Sequence, residues 1–97
     1  MALRLIVTMR AKPGKGGELA NARRENMLEV QKEPGCEQFE LFQSILDPDR
    51  LVLLERWADQ AALDAHAEVN RTRPSVAPEL RGDEPSERED YEYNRTR

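Results

Sequence analysis

The chain has one cysteine, one histidine and one tryptophan among its 97 residues, and each scarcity excludes a class of function. A single cysteine cannot form an internal disulfide, so we expect a protein of the reducing cytoplasm. One histidine, one cysteine and scattered carboxylates lack the spacings that are typical of metal sites, and we expect no metal. The glycine-rich motifs that hold nucleotides and flavins are also missing, so we expect no bound cofactor.

Long hydrophobic runs and an excess of basic charge are missing as well. The apolar run near the N-terminus, residues 3–9, is too short for a signal peptide core or a membrane span. A net charge of −4 and a pI of about 5.1 argue against nucleic-acid binding, which needs a basic face. We therefore expect no membrane or nucleic-acid partner. The length fits one domain, residues 1–97, to which an oligomer interface would add core.

The hydrophobic pattern predicts the order strand, helix, strand, strand, helix, strand. The predicted strands are 2–10, 36–46, 50–57 and a possible short last one at Tyr91 and Tyr93, and the helices are 17–33 and 59–69. This order is typical of an α+β, ferredoxin-like domain with a split βαβ unit and an antiparallel sheet. We place the core within residues 2–70. Residues 71–97 form a charged C-terminal segment, and its stretch 81–90 is predicted to be a linker.

The stretch 51–70 carries the strongest local pattern in the chain. Its four bulky apolar residues, 51–54, are typical of a strand that is buried on both faces. Asp59 is predicted to cap the following helix, because its carboxylate can accept from the unpaired amides of the first turn. Trp57 then closes the strand and His66 lies about two turns into the helix. We expect the chemistry of the protein near these two residues.

Four short stretches together resemble a known family. They are Lys12-Pro13-Gly14 after the first strand, Glu33-Pro34-Gly35-Cys36 before the second, Asp47-Pro48 in the hairpin, and LLERWADQAALDAH at 53–66. In this order and spacing over residues 3–70, they make the chain similar to antibiotic biosynthesis monooxygenase (ABM) domains of the dimeric α+β barrel superfamily. Residues 71–97 match the family poorly.

The resemblance implies a ferredoxin-like protomer whose sheet packs against a second copy to form a dimeric α+β barrel. Members of the family commonly exchange a C-terminal segment across the dimer. Many are cofactor-independent monooxygenases of quinols and polycyclic phenols, while others degrade haem or isomerise a small phosphorylated signal molecule. The pattern itself supports only the dimer, because a sheet with helices on one face must cover its other face.

Four residues are predicted to form the site. His66 is the candidate catalytic base, since histidine is the side chain that most readily exchanges a proton near neutral pH. The alternative is a structural histidine that is bonded to a backbone carbonyl. Trp57 is predicted to offer a flat wall and an indole donor to an aromatic substrate, or else to anchor the core. Leu53 and Phe39 are predicted to complete the substrate-binding wall.

Two departures from the family pattern narrow the activity. Haem-degrading members carry a pocket tryptophan where this chain has His66 and an asparagine where it has Val7, so haem degradation is disfavoured. Some polyphenol monooxygenases have an asparagine at the position of Leu53, and without that amide other donors must stabilise a substrate oxyanion. The candidate donors are Arg71, Arg73, Tyr91 and Tyr93.

We therefore expect a homodimeric ABM-type monooxygenase that oxidises a quinol or phenol with O₂. Two alternatives remain open at this point. One is a non-catalytic or stress-response dimer that binds a small apolar ligand. The other is an isomerase of a small polar substrate, which a pocket lined by arginine and histidine would favour.

Overall fold

A four-stranded antiparallel sheet forms the centre of the structure, a computed structural model that describes residues 1–96. The strands lie in the order β2-β3-β1-β4, which confirms the predicted ferredoxin-like α+β fold. The elements in chain order are β1 (Ala2–Arg10), α1 (Gly16–Ala22), α2 (Arg24–Val30), β2 (Cys36–Gln43), β3 (Arg50–Trp57), α3 (Gln60–Arg71), a 3₁₀ turn (Pro78–Leu80) and β4 (Glu87–Tyr93).

The sheet register places alternate residues of each strand on one face, which we call the covered face. Leu3 of β1 pairs with Trp57 of β3, and Leu5 pairs with Glu55. The buried residues of this face join residues from the three helices in a single core. The members of that core are Leu3, Leu5, Met9, Ala11, Leu19, Met27, Val30, Phe39, Leu51, Leu53, Trp57 and Leu63. Among the residues that the structure describes, no helix is long and apolar enough to cross a membrane.

The opposite side of the sheet, which we call the open face, has no helix of residues 1–96 packed on it. Leu51 and Leu53 of β3 are buried on the covered face, whereas Val52 and Leu54 on the open face are only half-buried. The prediction that this strand is buried on both faces is therefore wrong for the single chain. No helix of the described residues covers the side chains of Val52 and Leu54.

The helix predicted over residues 17–33 is divided into two short helices at Arg23. Neither glycine nor proline marks the division, so the periodicity gave no sign of it. At this residue the backbone amide still donates to the Leu19 carbonyl, at 3.2 Å. The Arg23 side chain reaches the covered face, where it donates to the Met9 sulfur at 3.5 Å and to the Asn26 side chain at 3.4 Å.

The second strand is shorter than predicted, because it ends at Gln43 rather than at residue 46. The hydroxyl of Ser44 accepts from the amides of Leu46 at 3.1 Å and Asp47 at 3.2 Å. This local side-chain bonding offers the backbone an alternative to the sheet ladder. Ile45 and Leu46 consequently lie in an exposed loop.

The last strand is longer than predicted. It runs over Glu87–Tyr93 and so begins inside the stretch 81–90 that was interpreted as a linker. It pairs with β1 along one edge of the sheet, from Thr8 opposite Glu87 to Ala2 opposite Tyr93. A charged edge strand shows no hydrophobic alternation, and charge is a common way to protect such an edge. The pattern of the sequence therefore hid most of this strand.

The start of α3 follows the prediction, because the Asp59 carboxylate accepts from the Ala62 amide at 2.9 Å. Helix α3 lies so close to the turn before β2 that position 35 of this turn requires glycine, whose φ is +80°. A Cβ atom there would overlap the Cβ of Ala62. Gly35 thus allows α3 to lie against the end of the sheet that carries Trp57.

Candidate active site

A cavity of about 480 Å³ lies between the covered face and α3. Its apolar wall comes from the three longer strands and the helix, and consists of Leu5, Val7, Met9, Phe39, Leu53, Leu63 and Ala67. His66, from the same face of α3 as Leu63, is part of the lining. The structure therefore brings three of the four predicted site residues, Phe39, Leu53 and His66, to one cavity.

His66 is 8% exposed and is held by a carboxylate and two rings. Its Nδ1 lies 2.9 Å from Oε1 of Glu33, and its ring centroid lies 4.7 Å from that of Trp57 and 5.5 Å from that of Phe39. The other Glu33 oxygen, Oε2, accepts from Arg73 at 3.1 Å. A carboxylate can only accept, so Nδ1 carries the hydrogen, and in the neutral ring Nε2 is then an acceptor.

This partner of His66 is a side-chain carboxylate, rather than the backbone carbonyl of the alternative considered above. A catalytic histidine is often oriented in this way by a carboxylate. Glu33 bonds to Nδ1 alone, so the bond leaves Nε2 available. Glu33 was not singled out in the sequence as a functional residue. No sequence pattern linked Glu33 to His66, because Glu33 lies in a turn 33 residues before it.

Glu55 is a buried carboxyl group in the cavity wall that the sequence analysis missed. Burial raises the pKa of Glu55, and the hydrogen bond from Trp57 and the nearby His66 oppose that rise. The indole Nε1 of Trp57 donates to its Oε1 at 2.9 Å. A signal did exist, since strand alternation puts Glu55 on the same face as Leu53 and Trp57. A charged residue on an apolar face is a candidate for proton transfer.

Trp57 is fully buried and is not among the residues that line the cavity. Its ring instead packs on His66, and its indole holds Glu55. Trp57 thus contacts both titratable groups of the site from behind the wall. The expected direct contact between its ring and a substrate stays a prediction.

Four arginines also line the cavity, namely Arg23, Arg71, Arg81 and Arg88. Arg71 bonds to Glu68 at 2.9 Å and Arg88 to Asp90 at 2.7 Å. Arg81 donates to the Ser86 hydroxyl, and within residues 1–96 neither Arg81 nor Arg23 forms an ion pair with a carboxylate. The sequence analysis did not single out Arg23, Arg81 or Arg88.

Of the four donors that were expected to replace a strand asparagine, only one lines the cavity. Arg71 lines the cavity, whereas Arg73 bonds to Glu33 behind His66. Tyr91 and Tyr93 lie on the open face, because they pair with Arg4 and Ala2 of β1. Among the described residues no group of three or more His, Cys, Asp or Glu side chains could hold a metal ion.

Comparison with known proteins agrees with this fold. Residues 2–70 match the family model for antibiotic biosynthesis monooxygenase (ABM). The chain belongs to the ABM family. This confirms the resemblance that was inferred from the four short stretches.

Three similar proteins illustrate the comparison. A Bacillus subtilis (strain 168) protein named "Putative monooxygenase YcnE" is 29% identical over 69 residues, which are 71% of this chain and 73% of that protein. The solved structure titled "Putative antibiotic biosynthesis monooxygenase from Nitrosomonas europaea" has a TM-score of 0.77 at 27% identity, over 93% of this chain and 88% of that one. A conserved protein from Methanosarcina mazei Go1 has a TM-score of 0.76 at 27% identity, over 97% and 94% of the two chains. These relatives support a function of the general ABM monooxygenase kind.

Proposed function

We propose that this ABM protein oxidises a quinol or another phenol with O₂ and needs no bound cofactor. The observation that carries the proposal is a cavity that combines one apolar wall with two proton-accepting groups, His66 and Glu55, in its lining. An aromatic ring fits against Phe39, Leu53 and Leu63, and its hydroxyl then needs a base within hydrogen-bond reach. The unpaired Cys36 is consistent with a cytoplasmic location, which we also propose.

His66 is the proposed base. With its Nδ1 hydrogen bonded to Glu33, the ring can accept the phenolic proton at Nε2. The Glu33 carboxylate then stabilises the imidazolium ion that forms, and Arg73 keeps that carboxylate in place. Glu55, which accepts from the Trp57 indole, is a second proton carrier, and its buried carboxyl can return a proton to the intermediate.

The oxygen chemistry draws all of its electrons from the substrate. The quinolate passes one electron to O₂, and the resulting radical pair joins at a ring carbon to give a hydroperoxide. Loss of water from this carbon breaks the O–O bond and leaves a carbonyl group. The sum is one quinol plus O₂ giving one hydroxyquinone plus water, so no external reductant is needed. Leu53 has no hydrogen-bond donor for the developing oxyanion, so the arginines of the cavity donate to it instead.

Replacement of His66 tests the proposed base. We expect His66→Gln to lower the turnover number about 10²–10⁴-fold in an oxygen-electrode assay across a panel of quinols, because the amide cannot take the proton. Glutamine retains a hydrogen bond to Glu33 and so protects the local packing. The matched variant Glu55→Gln should cause a smaller loss. Unchanged turnover in His66→Gln would show that another group is the base.

A wild-type protein without oxidase activity would favour the alternative of a non-catalytic, ligand-binding dimer. If no quinol in the panel caused O₂ uptake, but quinols still bound in the cavity, the chain would be a ligand-binding dimer. The isomerase alternative is supported by one observation, namely the four arginines and His66 in the lining. It predicts conversion of a small anionic substrate with no O₂ consumed, which the same electrode measures.

We also propose that two copies associate through their open faces. Phe42 on this face is 45% exposed, and the loop that follows β2 exposes two more large apolar side chains, Ile45 by 98% and Leu46 by 91%. Exposed apolar patches of this kind are typical of protein interfaces. Light scattering should give about twice the chain mass of 11.2 kDa, and a stable monomer would contradict the proposal. In the single chain β4 pairs with its own β1, so exchange of the C-terminal segment stays a prediction.

A further inference from the structure

A second cavity, of about 230 Å³, adjoins the first one. The two cavities share four lining residues, Arg23, Asn26, Asn70 and Arg81. The second cavity adds Arg73 from the segment after α3, so three arginines and two asparagines line it. Within residues 1–96 none of its lining residues is acidic, whereas Glu55 and Asp64 line the first cavity. The second cavity therefore has a strongly positive, hydrogen-bond-donating wall.

The positive charge at this junction is poorly compensated by the protein. Nε of Arg23 is buried and has no hydrogen-bond partner among residues 1–96, and its other nitrogens bond only to the Met9 sulfur and the Asn26 amide oxygen. Burial and the neighbouring charge of Arg81 lower the pKa of Arg23, and the charge of Glu55 opposes that change. Two partly buried cations that destabilise each other favour the binding of an anion between them.

Arg73 has a similar unused donor. Its Nη2 is bonded to Glu33, but within the described chain its buried Nη1 has no partner. A guanidinium group presents its donors as a planar fork that matches the oxygens of a carboxylate or phosphate. Buried donors without partners are costly, so a group that satisfies them is bound selectively.

We propose that the second cavity binds a phosphate or carboxylate group carried by the same molecule whose apolar part occupies the first cavity. This inference rests on the proposed function in one respect, since it takes the apolar part to be the phenol or quinol ring. The substrate is then an anionic aromatic compound, with its ring against Phe39 and Leu53 and its oxyanion near Arg23 and Arg81. A neutral phenol leaves these donors unpaired and is discriminated against.

Four simple probes test the proposal by calorimetric titration of the wild-type protein: phenol, phenyl phosphate, benzoate and inorganic phosphate. We expect at least one of the two aromatic anions to bind about 10-fold or more tightly than phenol. It should also bind more tightly than inorganic phosphate, because only a joined molecule uses both cavities. The proposal is overturned if neither aromatic anion exceeds phenol, or if inorganic phosphate binds as tightly as they do.

Adjacent arginines provide a matched pair of variants. Arg23→Gln should abolish the advantage of the aromatic anion over phenol, and Arg24→Gln should preserve it. Both changes remove one positive charge, but Arg24 is exposed and lines neither cavity. If Arg23→Gln fails to fold, Arg81→Gln provides the same test from the other side of the junction. The proposed site is wrong if the Arg23→Gln or Arg81→Gln variant binds the aromatic anion as tightly as the Arg24→Gln variant does.

Binding of these probes is independent of turnover. If no quinol causes O₂ uptake but phenyl phosphate binds tightly and loses that affinity in Arg23→Gln, the proposed reaction is wrong and the anion site stands. If quinols are oxidised but the arginine variants bind all probes equally, the reaction stands and the anion site is wrong. The two proposals therefore fail in different measurements.

Discussion

Both faces of the sheet carry apolar residues in β3, but their surroundings are very different. On the covered face, Leu51, Leu53 and Trp57 are buried beneath the helices, together with the carboxyl group of Glu55. On the open face, Val52 and Leu54 are half-buried. The difference lies in what covers each side, since both sets of residues come from one eight-residue strand.

Ionisable groups show the same contrast. On the open face the carboxylate of Glu37, which lies 3.7 Å from Arg56, is 45% exposed, and water screens its charge. Glu55 on the covered face is shielded from water, and its surroundings raise its pKa. Burial is therefore what gives the covered face its capacity for proton transfer. The open face is the surface that we propose to bind a second copy.

The largest expected effect comes from removal of the tryptophan on the covered face. Trp57→Ala should lower the free energy of unfolding by about 3–5 kcal/mol, because it empties a fully buried site. That loss is a large part of the roughly 5–15 kcal/mol typical of a domain. Urea unfolding monitored by circular dichroism, at several protein concentrations, measures it.

Phe42→Ala on the open face is the comparison for Trp57→Ala. In the single chain its cost should be about 1 kcal/mol or less, since Phe42 is 45% exposed. If two copies associate through this face, its effect should appear mainly as weaker association that depends on concentration. Equal, concentration-independent losses in the two variants would remove the distinction between the faces.

A smaller effect is expected at the glycine that lets α3 cover the sheet. Gly35→Ala should cost about 2–3 kcal/mol, because it combines a left-handed backbone angle with overlap on Ala62. Gly14→Ala is the matched control, since Gly14 has a φ of +78° and open space around it. It should cost only about 1–2 kcal/mol. Thermal unfolding of both variants isolates the packing contribution, and equal melting temperatures would contradict it.

Much of the fold could be predicted from the sequence because the inner strands and α3 carry strong local patterns. The cap at Asp59 and the extents of β1 and β3 are examples, and all three are found as predicted. The longer β4 could not be predicted, since an edge strand of charged residues has no apolar period. The division at Arg23 was hidden for a related reason, as no helix-breaking residue marks it.

The site was predicted less completely than the fold. His66, Phe39 and Leu53, which local pattern and resemblance selected, line one cavity, and their roles stay predictions. Arg23, Arg81 and Glu33 reach the site from distant parts of the chain, and only tertiary structure brings them together. Glu33 and His66, for example, are 33 residues apart. Charged residues on a polar helix usually face solvent, so no sequence pattern distinguished Arg23 from its neighbours.

The smallest change that we expect concerns the pH dependence of stability at Glu55. Burial raises the pKa of this carboxyl group in the folded state above its ordinary value of 4.5, so the folded protein holds the proton more tightly than the unfolded chain does. The protonated group therefore contributes stability that is fully present below pH 4.5, and this stability is lost as the pH rises through the folded-state pKa. Glu55→Gln removes the titration while keeping an acceptor for the Trp57 indole.

Stability of the Glu55→Gln variant relative to the wild type should consequently increase as the pH rises through that window, and then level off. Urea unfolding in a pH series measures the difference, with the exposed open-face variant Glu40→Gln as the control for loss of one charge. Parallel pH profiles for wild type and Glu55→Gln would mean that Glu55 is solvated in the folded protein. The covered face would then lack the shielded carboxyl group that separates it from the open face.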